Sequence, residues 1–593
     1  MLLVFVRSYI KLVEIFIRKL FNQAYANIDM PIDVFKKEIV KVLSHALGKE
    51  VDISTIEVPP DPLMGDYAFP CFSLAKEMKK NPNEIAQSLL KKIKPNKHID
   101  SAKAIGPYVN FFVKKDVLFN NVLLDVFLHK EKYGKKKIKG KTVLLEGWQP
   151  NTHKAFHIGH VRNAVLGESV ARILEFYGYK VIRISYMGDI GAHVAKWVWY
   201  FNKFYKGSIP KDNVGKWAGN LYTLASVKEE ENEVYKDEIN EVHKKLEEGD
   251  KELIKLWKKT RDLCLKGFWK IYKELDCKIK DPYFESEVET PGKKIVKNLE
   301  EKGLAKYDEG AIVADLKEYG LGVFVLLKNN GASLYSTKDI ALAYLKSKNY
   351  KFDLSLYIVA SEQEFYFQQL FKTLEIIKYK DASKLRHVSY GLVMLKEGKM
   401  SSREGNIILY DDLRDKLMKK ALDAIEERKL DAKKKGEIMG NVAFGAMKFT
   451  MLNQDSNREI IFDPEQALSF EGETGPYILY TYARACSILR KYKNNVKVKV
   501  DFSLLDNEEE KKIVKILAEF PDVVERAALS YKPHLICRGL LDLSQTFNEY
   551  YHKHKILQED KKLEEARILL TFCVKNVIKN GLSLLSIKVA DEM

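Results

Sequence analysis

Two short words in the chain carry side chains suited to phosphate chemistry. His157-Ile158-Gly159-His160 sets two imidazoles three residues apart with a glycine between them, and Lys154 stands three residues ahead of the first. Far downstream, Lys399-Met400-Ser401-Ser402-Arg403-Glu404-Gly405-Asn406 puts two cations on a glycine-containing segment. Imidazole N–H groups at a helix start can donate to phosphate oxygens, beside the free backbone N–H groups that a helix N-terminus offers. A lysine and an arginine on a loop can close over further phosphates. Displacement at phosphorus is promoted mainly by fixed donors that meet the growing negative charge, so no protein nucleophile is required. Capping or local hydrogen bonding would also explain paired histidines at a helix start. The two words are independent, which makes coincidence a poor account of both.

Such side chains need elements to hold them. TVLLE from Thr142, the loop GWQPNTHKAFHIGH ending at His160, the helical VRNAVLGESVARILEFYGY and then KVIRISYMGD read as strand, loop, helix, strand. That is a βαβ unit. Doubly wound parallel sheets bind ligands at the carboxyl ends of their strands, so the loop before Val161 is where a nucleotide should sit. The second word follows a strand candidate, Tyr390 to Leu395. Between the two halves, Lys228 to Lys259 alternates charge densely and reads as a solvated helical arm without catalytic work.

The remaining organisation follows from periodicity. Residues 1–30 predict an amphipathic helix, because Arg7, Lys11, Glu14, Arg18 and Lys19 interrupt an apolar run. Packing on a neighbouring domain is favoured over attachment to a membrane surface, and no stable membrane association is expected. Residues 31–115 mix helical spacing with the strand-like Tyr108 to Val113, a small α/β domain. A lysine-rich linker, 116–140, precedes a catalytic domain over 141–455 with a helical insertion at about 205–280. Helix patterns at Tyr477–Tyr492, Glu508–Leu529, Pro533–His552 and Leu563–Ile587 predict an all-α bundle over 456–593. The fold class is thus α/β: a Rossmann-type doubly wound parallel sheet, a small N-terminal α/β domain and a C-terminal helical bundle.

Bulk properties permit this reading without selecting it. A chain of 593 residues exceeds one hydrophobic core, and roughly three or four domains are expected. Lys and Arg outnumber Asp and Glu by 99 to 82, for a formal charge of +17, which favours a polyanionic partner such as nucleic acid or else a merely Lys-rich surface. The six cysteines are scattered, with neither a C-x-x-C pair nor metal-ligand spacing. Reduced thiols, a cytoplasmic setting and no resident metal are expected.

The two words, in this order and context, resemble the HIGH and KMSK signatures of class I aminoacyl-tRNA synthetases, and their surroundings are similar to the arginyl-tRNA synthetase family. Glu146 to His160, Tyr335-Ser336-Thr337-Lys338-Asp339 and Tyr357 to Gln363 match that family's substrate-contacting segments. Trp148 and Gln149 depart from it, standing where small residues are usual. So does Ser402, which replaces the second motif lysine; Lys154 or Arg403 would supply the missing cation.

The resemblance implies ATP-driven activation of L-arginine to arginyl-adenylate, with release of pyrophosphate, followed by transfer to the 3′ end of tRNA(Arg). It implies Lys154, His157, His160, Lys399 and Arg403 as catalytic residues. ATP would meet His157, Gly159, His160, Gly188, Asp189, Val393, Lys399, Met400 and Ser401, with Mg2+ accompanying it. Arginine would be read by Glu146, Asn151, His160, Tyr335, Asp339 and Gln363, since carboxylates pair bidentately with a guanidinium. On tRNA, the resemblance points to Tyr108, Asn110 and Phe112 at the elbow and to Tyr480, Arg484 and Met593 at the anticodon. It also implies that activation needs bound tRNA and that the enzyme works as a monomer. The competing readings are a class I synthetase for another amino acid and a nonenzymatic RNA-binding relative, the latter disfavoured by the intact histidines and lysines.

Overall fold

The computed structural model describes residues 31–59, 64–136, 140–210, 212–279, 281–394, 408–425 and 431–593. The N-terminal helix expectation and the second signature word, with Lys399, Met400, Ser401 and Arg403, lie outside the described residues. Chain contacts define two compact units, each built from distant segments. One comprises the chain up to Tyr133 with Tyr492–Glu519 and Glu549–Asn576; the other comprises Gly134–Lys491, Phe520–Asn548 and Val577–Met593. The helical segment 456–593, expected as one body, is therefore apportioned between them.

The first unit holds an antiparallel sheet of β1 (Tyr67–Pro70), β2 (Ile99–Ile105) and β3 (Tyr108–Val113), with β3 in the middle. Gly106-Pro107 joins β2 to β3 in two residues, and Gly106 takes φ +56, a conformation glycine adopts without strain. Pro82 opens the helix Pro82–Leu90 behind an Asn81 cap that accepts from the Asn83 N–H. Tyr108 and Phe112 remain partly exposed beside Phe72 and Lys103, whose ammonium sits 4.9 Å over the Phe112 ring. Asn110, expected on the same open face, is buried. The Gly65–Asp66 segment covers it, held by an Asp66 N–H to the Phe111 carbonyl at 2.8 Å.

The second unit is organised by a five-stranded parallel sheet. β4 (Thr142–Gly147), β5 (Lys180–Met187), β6 (Asp281–Phe284), β10 (Leu354–Ala360) and β11 (Leu385–Tyr390) lie in the order β11-β10-β4-β5-β6. Strand order reverses between β4 and β10, and such a switch point opens a crevice at the carboxyl ends. The expected strand 390–395 is displaced. β11 ends at Tyr390, and only Val393–Met394 (β12) follows, paired in parallel with Ile460–Ile461 (β13). Gly391 interrupts the run because a Cβ there would meet the Arg458 carbonyl oxygen at 2.4 Å. A small antiparallel sheet, β7 (Lys306–Asp308), β8 (Ala311–Asp315) and β9 (Val323–Leu327), is inserted between the helices Glu285–Glu301 and Tyr335–Asn349.

The helix Ile158–Tyr177 is buried along nearly its whole length and ends at Gly178 in the left-handed region. Its inward Glu168, fully buried, accepts from Arg172 and Arg183 at 2.8 and 2.9 Å. A buried carboxylate is tolerated only when paired in this way. The charge-rich insertion forms the helices Val214–Glu231, Val234–Glu247 and Lys251–Glu274. Among the described residues no helix is long and apolar enough to cross a membrane.

Candidate active site

The loop after β4 is fixed from beneath. Trp148 takes φ +57 and is buried, its amide donating to Asn163 at 2.6 Å and its carbonyl accepting from Ser185 at 2.7 Å. Trp148 thus packs under the site, against Gly167, and Gln149 donates to Glu146 at 2.9 Å. His153 takes φ +63 and is wholly buried between the Thr152 and Thr260 hydroxyls, at 3.0 and 2.9 Å. Burial, with Arg261 nearby, brings His153 down to about 3, so it is a neutral structural ring. The insertion is not a bystander, since on the helix Lys251–Glu274 Thr260 braces this loop and Arg261 holds Asp189 after β5. On the helix Val214–Glu231, Gly219 lies so close to Ala155 that a Cβ would approach it to 2.4 Å.

At the start of the helix Ile158–Tyr177, His157 caps the helix and accepts from the Gly159 N–H through Nδ1 at 3.1 Å. The His157 N–H in turn meets Nδ1 of His160 at 3.3 Å, and the two rings stack 3.8 Å apart. The Ile158 N–H is taken by the Ile408 carbonyl at 3.0 Å, and the His160 N–H by the His157 carbonyl at 2.9 Å. The free backbone donors expected at this terminus are therefore already occupied. What remains is imidazole: with Nδ1 accepting, each neutral ring carries its proton on Nε2. Burial and then Lys154 hold His157 down to about 4, and burial with His157 and Lys154 holds His160 well below the usual imidazole range. Gly159 leaves room for the His157 ring, 3.0 Å from where its Cβ would stand.

Lys154 places its ammonium 5.0 Å over the Tyr222 ring, which Lys196 also approaches at 5.7 Å. Lys196 is paired with Glu229, whereas Lys154 has no carboxylate partner among the described residues. The second signature word is anchored at both described flanks. β12 pairs with β13 before it, and after it the Tyr410 N–H reaches the Phe156 carbonyl at 2.9 Å while Leu409 bridges His157. Val393, expected at the nucleotide, is buried in this pairing.

Across the crevice, the carboxyl ends of β4, β5 and β10 and the helix Tyr335–Asn349 gather charge. Glu146 is buried and pairs with the Lys346 ammonium at 2.7 Å, and Lys346 lies 3.8 Å from the Tyr357 ring centre. Glu285 pairs with Lys338 at 2.5 Å. Asp339 has no cationic partner among the described residues and accepts from the Tyr366 hydroxyl at 2.5 Å. Burial, opposed by that hydrogen bond and assisted by Glu146 and Glu285, pushes Asp339 up to about 7. The Tyr186 hydroxyl is buried without a hydrogen-bond partner beside this group. An orphaned polar atom amid carboxylates marks a place where a donor-rich cation would complete the bonding.

The structure redistributes several expectations. Asp189, expected at the nucleotide, has its carboxylate taken by the Ser286 amide and hydroxyl at 3.0 and 2.8 Å and by Arg261 at 3.2 Å. It is fully buried and anchors the start of the helix Glu285–Glu301. Gly188 serves Asn151 instead, since a Cβ there would lie 2.1 Å from Asn151 Oδ1. Tyr335 is 67% exposed and Gln363 is exposed on the short turn after β10, so both stand at the mouth of the site and outside its buried group. At the end of the chain, Arg484 stacks 4.9 Å over Tyr480 and donates to Asn548, while Tyr482 is a core residue bonded to Asp591. Met593 is partly exposed. Lys346, Tyr186 and Tyr366 were not singled out from sequence; Lys346 could have been, lying seven residues beyond Asp339 on one helix face.

Comparison with known proteins matches this geometry to one family. Residues 122–464 match the catalytic domain of class I tRNA synthetases of the arginine type, 33–113 the arginyl-tRNA synthetase N-terminal domain, and 478–593 the DALR anticodon-binding domain. The arginine–tRNA ligase of Halothermothrix orenii is 36% identical over 564 residues, covering 94% of this chain and all of the relative. That of Clostridioides difficile is 38% identical over 548 residues, with 92% and 97% covered. The solved Thermus thermophilus arginyl-tRNA synthetase superposes with a TM-score of 0.81 at 26% identity, over 94% of this chain and all of that one. With the two histidines, the carboxylate pocket and the doubly wound sheet placed as described, the chain belongs to the arginyl-tRNA synthetases, the class I arginine–tRNA ligases.

Proposed function

We propose that this arginine–tRNA ligase performs both steps of its reaction at the carboxyl ends of β4, β5 and β10. The observation that carries the reading is the carboxylate of Asp339, without a cationic partner among the described residues and set among the hydroxyls of Tyr366 and Tyr186. A guanidinium satisfies that arrangement, offering a planar fork of donors to a carboxylate. Lysine would leave acceptors unfilled, and a site built on hydrogen bonds discriminates strongly against such a substrate.

In the first step the arginine carboxylate attacks the α-phosphorus of ATP, a P–O bond forms, the bond to the β-phosphate oxygen breaks, and pyrophosphate leaves. The Nε2–H groups of His157 and His160 donate to the phosphate oxygens as charge builds, and Lys154 supplies a full positive charge from the neighbouring loop. Lys399 and Arg403 contribute further cations to the β and γ phosphates. Mg2+ would accompany the nucleotide and share its phosphate charge. In the second step the terminal ribose hydroxyl of the tRNA attacks the carbonyl of the adenylate, an ester forms and AMP leaves.

Dependence of activation on tRNA is supported by residues 455–462. Asp455 pairs with Lys532 of the helical segment at 2.7 Å, and the Ser456 carbonyl accepts from both Arg162 of the signature helix and Gly391. Ile460–Ile461 then pair with the strand entering the second signature word. One short segment thus links the C-terminal helical segment, the signature helix and the strand before the second word. Tyr480 and Arg484 for the anticodon and Tyr108 and Phe112 for the elbow remain the RNA contacts of this reading, with Asn110 as their buried support. The place of work is the cytoplasm, where tRNA is charged for protein synthesis.

Charging of tRNA with labelled arginine, lysine, glutamine or cysteine tests the assignment. Arginine alone should be esterified, and pyrophosphate exchange should require tRNA. Esterification of lysine at a comparable rate would refute the Asp339 pocket.

A further inference from the structure

The helix Tyr335–Asn349 delivers three charges to the amino-acid pocket from one face. Lys338 and Asp339 lie near its start and Lys346 about two turns further on, and each meets a different neighbour. Lys338 pairs with Glu285 at 2.5 Å and Lys346 with Glu146 at 2.7 Å, both partners being almost inaccessible to solvent. Below them Asp189 is matched by Arg261. Four carboxylates therefore meet three cations, and Asp339 is the one left over among the described residues.

Lys346 is the unusual member, since its side chain is 1% exposed and its ammonium lies against Glu146. Burial alone would discharge it, yet the adjoining Glu146 keeps its ammonium well above the usual lysine range. A cation held so deeply acts on the carboxylate it neutralises. We propose that Lys346 is a specificity-determining positioning residue: by neutralising Glu146 it leaves the pocket with one net negative charge, matched to a side chain bearing one positive charge. The proposal rests on the arginine-ligase reading above and goes beyond it, because it gives Glu146 the role of a balanced support and leaves Asp339 as the sole counter-charge.

Removing the lysine should damage arginine binding without touching the nucleotide. With Lys346 replaced by methionine, Glu146 keeps only its neutral Gln149 partner and becomes a second buried carboxylate without a cation near Asp339, and two such groups resist ionising together. A proton is then held that arginine must displace. The groups facing Asp339 are Tyr366, Tyr186, Tyr357, Tyr335, Glu146, Glu285 and Lys346. Of these, only the pair Glu146 and Lys346 changes its charge in the variants below.

The test is a charge-swap cycle in the full chain, read as KM and kcat for arginine, ATP and tRNA across pH. Lys346→Met should raise the arginine KM by about 30-fold or more and move the pH profile of arginine kcat/KM to the alkaline side, with the ATP KM little changed. Glu146→Gln should also raise the arginine KM, because Lys346 then cancels Asp339. The double variant, which removes one charge of each sign, should recover most of the loss, and Lys346→Arg should stay within a few-fold of the parent. A double variant as impaired as the worse single one, or Lys346→Arg as impaired as Lys346→Met, would overturn the charge-balance role. Parallel rises in the ATP and arginine KM would overturn it as well, by showing a structural effect on the whole site. Failure of the unmodified enzyme to charge arginine would sink the underlying reading, a result distinct from all of these.

Discussion

The two halves of the active site manage charge in opposite ways. On the phosphate side the donors are neutral imidazoles, each capped at Nδ1, and Lys154 stands without a carboxylate among the described residues. On the amino-acid side the buried carboxylates other than Asp339 named above are paired with cations. The phosphate half must meet charge that grows during reaction, so preoriented dipoles and an uncompensated cation serve it. The arginine half must recognise a charge that does not change, so it is balanced to fit that charge. Sensitivity to substitution and to pH should differ accordingly.

The largest expected effect breaks the phosphate half. Lys154→Ala should lower tRNA-dependent pyrophosphate exchange by roughly 100- to 1000-fold, with the arginine KM changed only a few-fold. A large arginine effect instead would erase the proposed division of labour. Next, Asp339→Asn should raise the arginine KM by about 10- to 100-fold while the ATP KM holds, measured by steady-state exchange.

Acidity sharpens the contrast further. A carboxyl raised to about 7 is ionised above that pH and protonated below it, so lowering the pH from about 8 to about 6 should raise the arginine KM by about tenfold. The ATP KM should stay flat over the same range, because His157 is held down to about 4 and remains neutral. Smallest is the effect at the junction of the halves. Gly188→Ala forces Asn151 aside, and thermal melting should show a loss of about 1–3 kcal/mol with a modest rise in the arginine KM.

Much of this was legible in sequence because it is local. Period-3.6 runs placed the C-terminal helices to within two or three residues at their ends, with Glu508–Ser530 and His534–Lys553 as examples. The βαβ unit was equally plain, since strand and helix periodicities alternate there with glycine between them. What escaped depends on contacts across the fold. The interrupted strand before the second word is set by the Arg458 backbone, 67 residues beyond Gly391. Lys346 becomes meaningful only once Glu146, 200 residues earlier, lies under it. Asp189 runs the other way: the resemblance implied a nucleotide contact, while Ser286 and Arg261, both distant in sequence, take its oxygens. Backbone donors at the signature helix were misjudged for the same reason, as Ile408 supplies a carbonyl that no local pattern announces.

The segmented make-up of the two units bears on synthesis. The first unit draws on residues before 134 and again on residues after 491, with the central sheet of the other unit encoded in between. At about 5–20 residues per second, its early segments wait on the order of 20–70 s for their later partners to leave the ribosome. During that interval the β1–β3 sheet must survive without its helical complement, so chaperone demand and truncation sensitivity should concentrate on the earliest part of the chain.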